Sequence, residues 1–344
     1  MTMRYKLLGR SGLRVSELCL GTMTFGNTQW GTPEAEAAQM YARFRDLGGN
    51  YLDTANEMYA EGRSEEILGR LVGGHRHEVV VATKYTFAFP GGRNPNAGGN
   101  HRKSLLRSLE ASLRRLGTDY IDLMWIHAWD PATPADELMR ALDDAVSQGK
   151  ILHIGASNTP AWVVAQCNTL ADWRGWTPFV GLQVEYSLVE RAVERELLPM
   201  AQRLDLSVAA WSPLGSGILS GKYAKPVAGE AKRLDTMQLK RIDERNSAIA
   251  AGVGELAREI GRSSPQVALN WLRAKPGVIP LVGVRTLAQF DDNFGCLDFQ
   301  LDAAQLARLD GLSAIPLGYP HEFLRGTRNI VNAGFQDLLD SHRR

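Results

Sequence analysis

Four residues of this chain could together deliver a proton to an oxygen. They are Asp53 at the end of the apolar run "YLDT", Tyr59 six positions on, Lys84 closing "VVVATK" and His127 closing "YIDLMWIH". A lysine aimed into an apolar mouth loses its charge unless an anion holds it there, and Asp53 is such an anion. A tyrosine hydroxyl, with an ordinary pKa of about 10, is a poor donor near neutrality. An adjacent ammonium favours the phenolate and turns the phenol into a usable general acid. His127 could then bond a carbonyl oxygen and fix its orientation. Each residue alone has an ordinary explanation, since a strand-end aspartate often forms a turn or caps a helix. Their shared place at the ends of three successive apolar runs singles them out.

Such residues need a scaffold that brings strand ends together. Eight β-type runs recur along the chain, at 18–21, 51–54, 79–84, 120–127, 151–157, 179–185, 206–213 and 277–283. Between them lie amphipathic stretches such as "PEAEAAQMYARFRDLG" and "ADELMRALDDAVSQG", several ending in glycine, as helices do. Strands that read as continuous apolar runs are covered on both faces, which means a parallel sheet. The polar residues choose between a closed barrel and an open sheet. They fall at the last strand positions one after another: Asp53, Lys84, His127, Ser157 with Asn158, Gln183, Trp211 with Ser212. That is the pattern of a (β/α)8 barrel, an α/β fold whose chemistry sits at the C-terminal strand ends. No early Gly-rich turn marks a doubly wound dinucleotide fold.

The opening "RYKLLGRSGLRVSEL" reads as a β-hairpin, and the segment from about 302 with "AAQLARLDGL" as an extra C-terminal helix, followed by an irregular tail from about 315 and a last short helix. Residues 1–344 read as a single domain. Two long connections, 86–100 and 222–247, have the length of functional loops. Lys and Arg number 39 against 38 Asp and Glu, a net charge of +1, so no global field recruits nucleic acid or an anionic membrane. Cys19, Cys167 and Cys296 are odd in number and far apart, which argues against a disulfide framework or a zinc site and for a reducing, cytoplasmic setting. The remaining histidines form no metal-ligand grouping. No stretch has the length of a signal peptide core or a membrane span.

The strings "LGTMTFG" at 20–26, "DTANEMYAEGRSEEILG" at 53–69, "VATKY" at 81–85, "SLRRLGTDYIDLMWIHAWD" at 112–130, "GKILHIGASN" at 149–158, "LQVEYSLVER" at 182–191, "AWSPLGSGILSGKY" at 210–223 and "VGVRTLAQFDDN" at 282–293 resemble the aldo-keto reductase superfamily. The likeness is to its aryl-alcohol dehydrogenase-like and potassium-channel β-subunit-like branches, and it runs from about residue 4 to 314. It implies reduction of a carbonyl with NADPH, with Tyr59 as proton donor, Asp53 and Lys84 tuning it and His127 orienting the substrate. By the same resemblance Ser157, Asn158 and Gln183 hold the nicotinamide amide, and Trp211 stacks on the ring. Ser212, Pro213, Leu214 and Gly217 wrap the pyrophosphate, with Lys222 adding charge. Arg285 and Thr286 meet the 2′-phosphate, while Gln289, Asp292 and Asn293 contact the adenine. Gly21, Thr22, Met23, Asp53 and Gly283 complete the cofactor set. Trp30, Tyr85, Phe87 and Trp129, with Phe89, read as an aromatic substrate wall. Aryl aldehydes come first as substrates and a keto intermediate such as a keto sugar second. A regulatory subunit that binds NADPH as a redox sensor is the alternative reading. The sequence leaves the oligomeric state open.

One departure stands out. The family pattern places tyrosine five residues after the aspartate, and here the interval is six. Either the link bulges and Tyr59 still reaches the mouth, or Met58 takes the expected place and the donor is lost. The immediate resumption of the pattern in "MYAEGRSEEILG" favours the bulge.

Overall fold

The apolar runs form eight parallel strands closed into a barrel, seen in a computed structural model that describes residues 3–88, 94–221 and 243–340. The hairpin strands are β1 (Tyr5–Leu7) and β2 (Arg14–Ser16). The barrel strands are β3 (Cys19–Gly21), β4 (Tyr51–Asp53), β5 (Val80–Tyr85), β6 (Ile121–Ile126), β7 (Ile151–Ser157), β8 (Phe179–Glu185), β9 (Ser207–Trp211) and β10 (Val278–Gly283). β10 closes the ring on β3. The helices needed below are α1 (Glu34–Asp46), α2 (Arg63–Val72) and α3 (Arg102–Leu116).

Two apolar clusters follow from the alternation of side chains across each strand. The outer one packs strands against helices. The inner one fills the barrel with Cys19, Tyr51, Ala82, Leu123, Trp125 and Ile279, among others, and takes in Leu8 and Val15 from the hairpin region. The hairpin therefore shuts the N-terminal end of the barrel. Register decides what lies at each level inside. Trp125 pairs with Gly155 and Gly155 with Gly181, so the indole lies over two glycines. A Cβ at Gly155 would meet the ring at 2.3 Å. Lys84 pairs with Trp125, one level toward the mouth from Asp53, which pairs with Ala82.

Two expectations change. The tail is not irregular throughout: His321–Val331 is helical, with no residue buried. A helix spanning Glu244–Glu259 begins within the second long connection, where the Asp243 side chain accepts from the Asn246 N–H and caps it. Lys222 and Phe89 lie outside the described residues. Among the described residues, no helix is long and apolar enough to cross a membrane, and no group of three or more His, Cys, Asp or Glu is placed to hold a metal. The three cysteines are buried thiols.

Candidate active site

β4 and β5 end side by side, and because residues 53 and 84 both turn inward, Lys84 and Asp53 form an ion pair with each side chain only 1% exposed. The ammonium also donates to the Thr54 carbonyl at 2.6 Å, and Gln183 Nε2 donates to the other carboxylate oxygen at 2.7 Å. Burial works against the charge on Lys84, but Asp53 and Tyr59 outweigh it and hold its pKa above the ordinary lysine value. Burial likewise lifts the Asp53 carboxyl, opposed by Lys84, Gln183 and Trp125. A charged lysine thus stands at the barrel mouth.

Tyr59 meets it with its ring: Lys84 Nζ lies 5.1 Å from the ring centroid. The His127 ring stands edge-on to Tyr59, with centroids 6.2 Å apart and planes at 84°, and Phe87 packs on its other side at 4.4 Å. Between Asp53 and Tyr59 the chain turns around Asn56, which is 1% exposed. Its N–H donates to the Lys84 carbonyl and its amide to the Phe87 carbonyl, at 3.2 and 3.0 Å. Its side-chain oxygen accepts from the Met58 N–H, and its carbonyl from the Tyr59 N–H. This is an Asx turn, the local device that Asn side chains provide. Met58 and Tyr59 consequently both line the cleft.

Burial, and then the Lys84 charge, push the His127 pKa down to about 3. Its imidazole is neutral through the working range, so it acts as a hydrogen-bonding group and not as an acid. Because the folded value lies below the ordinary 6.5, the unfolded chain binds the extra proton between those pH values, and stability falls as pH drops through that window. His153, also lowered by burial, acts in the same direction. Replacing His127 by Gln is expected to flatten, though not abolish, the decline in melting temperature between pH 6.5 and 4. An unchanged slope in calorimetry would contradict the buried neutral imidazole.

The mouth opens into a cleft of about 640 Å³. Tyr59, His127, Met23, Trp30 and Phe87 line it, as do Arg285, Gln289, Asp292 and Asn293. On its wall the Trp211 indole donates to Asn158 Oδ1 at 3.1 Å. Asn158 in turn donates to the His127 carbonyl at 2.9 Å and to Ser157 Oγ at 3.0 Å, which ties this wall to the histidine strand. Asn158 and Ser212 adopt φ of 47° and 53° just past β7 and β9, left-handed values uncommon in non-glycine residues. Gly21, Gln183, Ser212, Pro213, Leu214 and Gly283 also line the cleft.

Several expected residues lie elsewhere. Tyr85 follows Lys84 on the strand, so it points outward and is fully buried in the outer core, its hydroxyl on the Asn100 carbonyl at 3.3 Å. It is therefore no part of the substrate wall. Trp129 is half-buried against Trp162, with centroids 5.6 Å apart, and does not line the cleft. The Thr22 hydroxyl is turned to the Asp53 carbonyl and Ser64, and Ser157 is fully buried beneath Asn158. Gly217 is off the cleft lining, and Thr286 uses its oxygen to cap the helix Leu287–Phe294. Gln289 Oε1 accepts from the Arg285 N–H at 3.0 Å. Conversely, Thr24, Ser263, Ser264 and Pro265 line the cleft unforeseen. The capping box formed by Ser263 and Gln266 was legible in "RSSPQ", but nothing in that string says which opening the helix faces.

The site thus joins a closed parallel barrel to a buried ion pair, a tyrosine and a neutral imidazole at its mouth. Residues 17–314 match the model of the aldo/keto reductase family, and the chain belongs to that family. It is 39% identical to a norsolorinic acid reductase of Emericella nidulans, over 91% of this chain and 82% of that protein. It is 36% identical to an aryl-alcohol dehydrogenase of Pestalotiopsis microspora, over 92% and 85%. It is 38% identical to an uncharacterized oxidoreductase of Bacillus subtilis, over 92% and 98%. The family uses nicotinamide cofactors, and the cleft fits one. It offers a flat Trp211 wall, amides from Asn158 and Gln183, and a guanidinium beside a helix N-terminus.

Proposed function

We propose that the protein reduces an aryl aldehyde or ketone with NADPH, Tyr59 donating the proton. The observation that carries the reading is the charged, buried Lys84 beside the Tyr59 ring, with a neutral His127 edge-on to the same ring. A dihydronicotinamide held in the cleft by residues such as Asn158, Gln183 and Trp211 would supply the hydride equivalent for the carbonyl. Tyr59 gives its hydroxyl proton to the carbonyl oxygen, and the phenolate left behind is favoured by the Lys84 ammonium. His127 donates a hydrogen bond to the same oxygen as charge gathers there. Trp30, Met58 and Phe87 offer apolar and aromatic surface around it, and the likeness to the aryl-alcohol dehydrogenase of Pestalotiopsis microspora supports an aryl substrate.

NADPH is preferred to NADH in this reading because Arg285 lines the cleft at the start of the helix Leu287–Phe294. A cation at a helix N-terminus opposes the helix dipole, and a bound phosphate satisfies both. Replacing Arg285 by Ala is expected to weaken NADPH binding about 10- to 100-fold, the loss of one charge-assisted contact of about 1.5–3 kcal/mol. NADH binding should hardly change. Fluorescence titration measures both, and NADPH oxidation with a panel of aryl aldehydes tests turnover. Equal losses for the two nucleotides would remove the 2′-phosphate role. Tight NADPH binding without turnover on the panel would favour the redox-sensing reading.

A further inference from the structure

We infer that Arg115 is a positioning residue for Tyr59, setting its distance from Lys84 through two carboxylates; the inference rests on Tyr59 being the proton donor. Arg115 stands near the end of α3 with its side chain 19% exposed. Its Nε donates to Glu65 Oε2 at 2.6 Å, and Glu65 is wholly buried. The other Glu65 oxygen accepts from Thr83 Oγ1 at 2.6 Å. Thr83 immediately precedes Lys84, so the guanidinium is joined through one carboxylate to the strand that carries the ammonium.

On its other side, Arg115 Nη2 makes no hydrogen bond and faces Glu57 Oε2 at 3.8 Å. Glu57 lies two residues before Tyr59, and its second oxygen accepts from Arg107 at 3.2 Å. Beyond Tyr59 the chain turns back over the same side chain. Gly62 has φ 91°, its N–H donates to the Tyr59 carbonyl at 3.1 Å, and a Cβ there would lie 2.7 Å from Arg115 Cδ. Segment 57–62 is thus draped over Arg115 and touches it at both ends. Between the contacts, Ala60 and Glu61 hold φ of 52° and 59°. Such left-handed values in non-glycine residues persist only where the surroundings fix them. The guanidinium, planar and forked, can address two acids at once in a way that a lysine cannot.

The acidity of a phenol beside an ammonium depends on their separation. Loosening segment 57–62 therefore weakens Tyr59 as an acid, and neither Glu57 nor Arg115 itself lines the cleft. Glu57→Gln carries the test, because residue 57 is partly exposed and the buried Arg115–Glu65 pair stays intact. Arg115→Lys and Arg115→Met accompany it, with Arg114→Gln, exposed on the same helix, as control. In Glu57→Gln and Arg115→Lys we expect an unchanged melting temperature and NADPH affinity and a kcat lowered about tenfold with KM little altered. The alkaline fall of the reduction rate should move up by about one pH unit, since the donor must be protonated and its pKa rises. Arg115→Met should lose more than Arg115→Lys, and Arg114→Gln nothing. A kcat loss with no movement of the alkaline limb would mark the network as merely structural and overturn the inference. So would unaltered kinetics in Glu57→Gln and Arg115→Lys while Tyr59→Phe is inactive. An active Tyr59→Phe would instead remove the reading of Tyr59 on which the inference rests.

Discussion

Tyr59→Phe is expected to lower the rate of carbonyl reduction by about 10²–10⁴-fold, the range that a positioned general acid supplies, while leaving NADPH binding intact. The expectation follows from geometry. Its ring lies beside the Lys84 ammonium and edge-on to His127, and the substitution removes one oxygen while keeping the ring that packs there. Met58, its neighbour in the cleft, has no proton to give. Single-turnover measurement with saturating NADPH separates chemistry from binding, and undiminished turnover would show that another group delivers the proton.

Lys84→Met should have the second large effect, and on stability as well as rate. It leaves the Asp53 carboxylate, 1% exposed, without its cation, and breaking a buried pair from one side costs about 3–5 kcal/mol. The deficit should depend on pH in a definite sense. Stripped of Lys84, the carboxyl pKa rises further under burial, so the folded variant takes up a proton that the unfolded chain lacks. Between those two pKa values stability falls as pH rises, and the variant should recover toward acid pH. The double replacement Asp53→Asn with Lys84→Met should regain most of the stability at neutral pH, since no unpaired charge remains, yet stay inactive. Denaturant unfolding of the three proteins settles it. A double variant no more stable than the single one would refute the electrostatic account.

How far the sequence led can be judged residue by residue. The eight strands and the places of Asp53, Lys84 and Gln183 at the mouth were legible because continuous apolar runs and strand-end position are local properties. Tyr85 was misjudged for want of the period-two rule: the residue after an inward lysine must face outward. Thr22 and Ser157 sit in matching strings, but only three-dimensional packing shows that their hydroxyls are spent on neighbouring backbone and Asn158. The six-residue interval to Tyr59 was visible as an anomaly. The turn at Asn56 inside it was not, since an Asx turn depends on which carbonyls lie within reach. The helical tail illustrates the reverse case, where "HEFLRGTRNIV" carried enough periodicity to form a helix although its turn-rich approach read as irregular.

Among the described residues, the indole of Trp125 and the hairpin residues Leu8 and Val15 plug the barrel at the end away from the cleft. Water and reactants therefore come to the Lys84–Asp53 pair from the same side, and no through-channel crosses that part of the barrel to drain it.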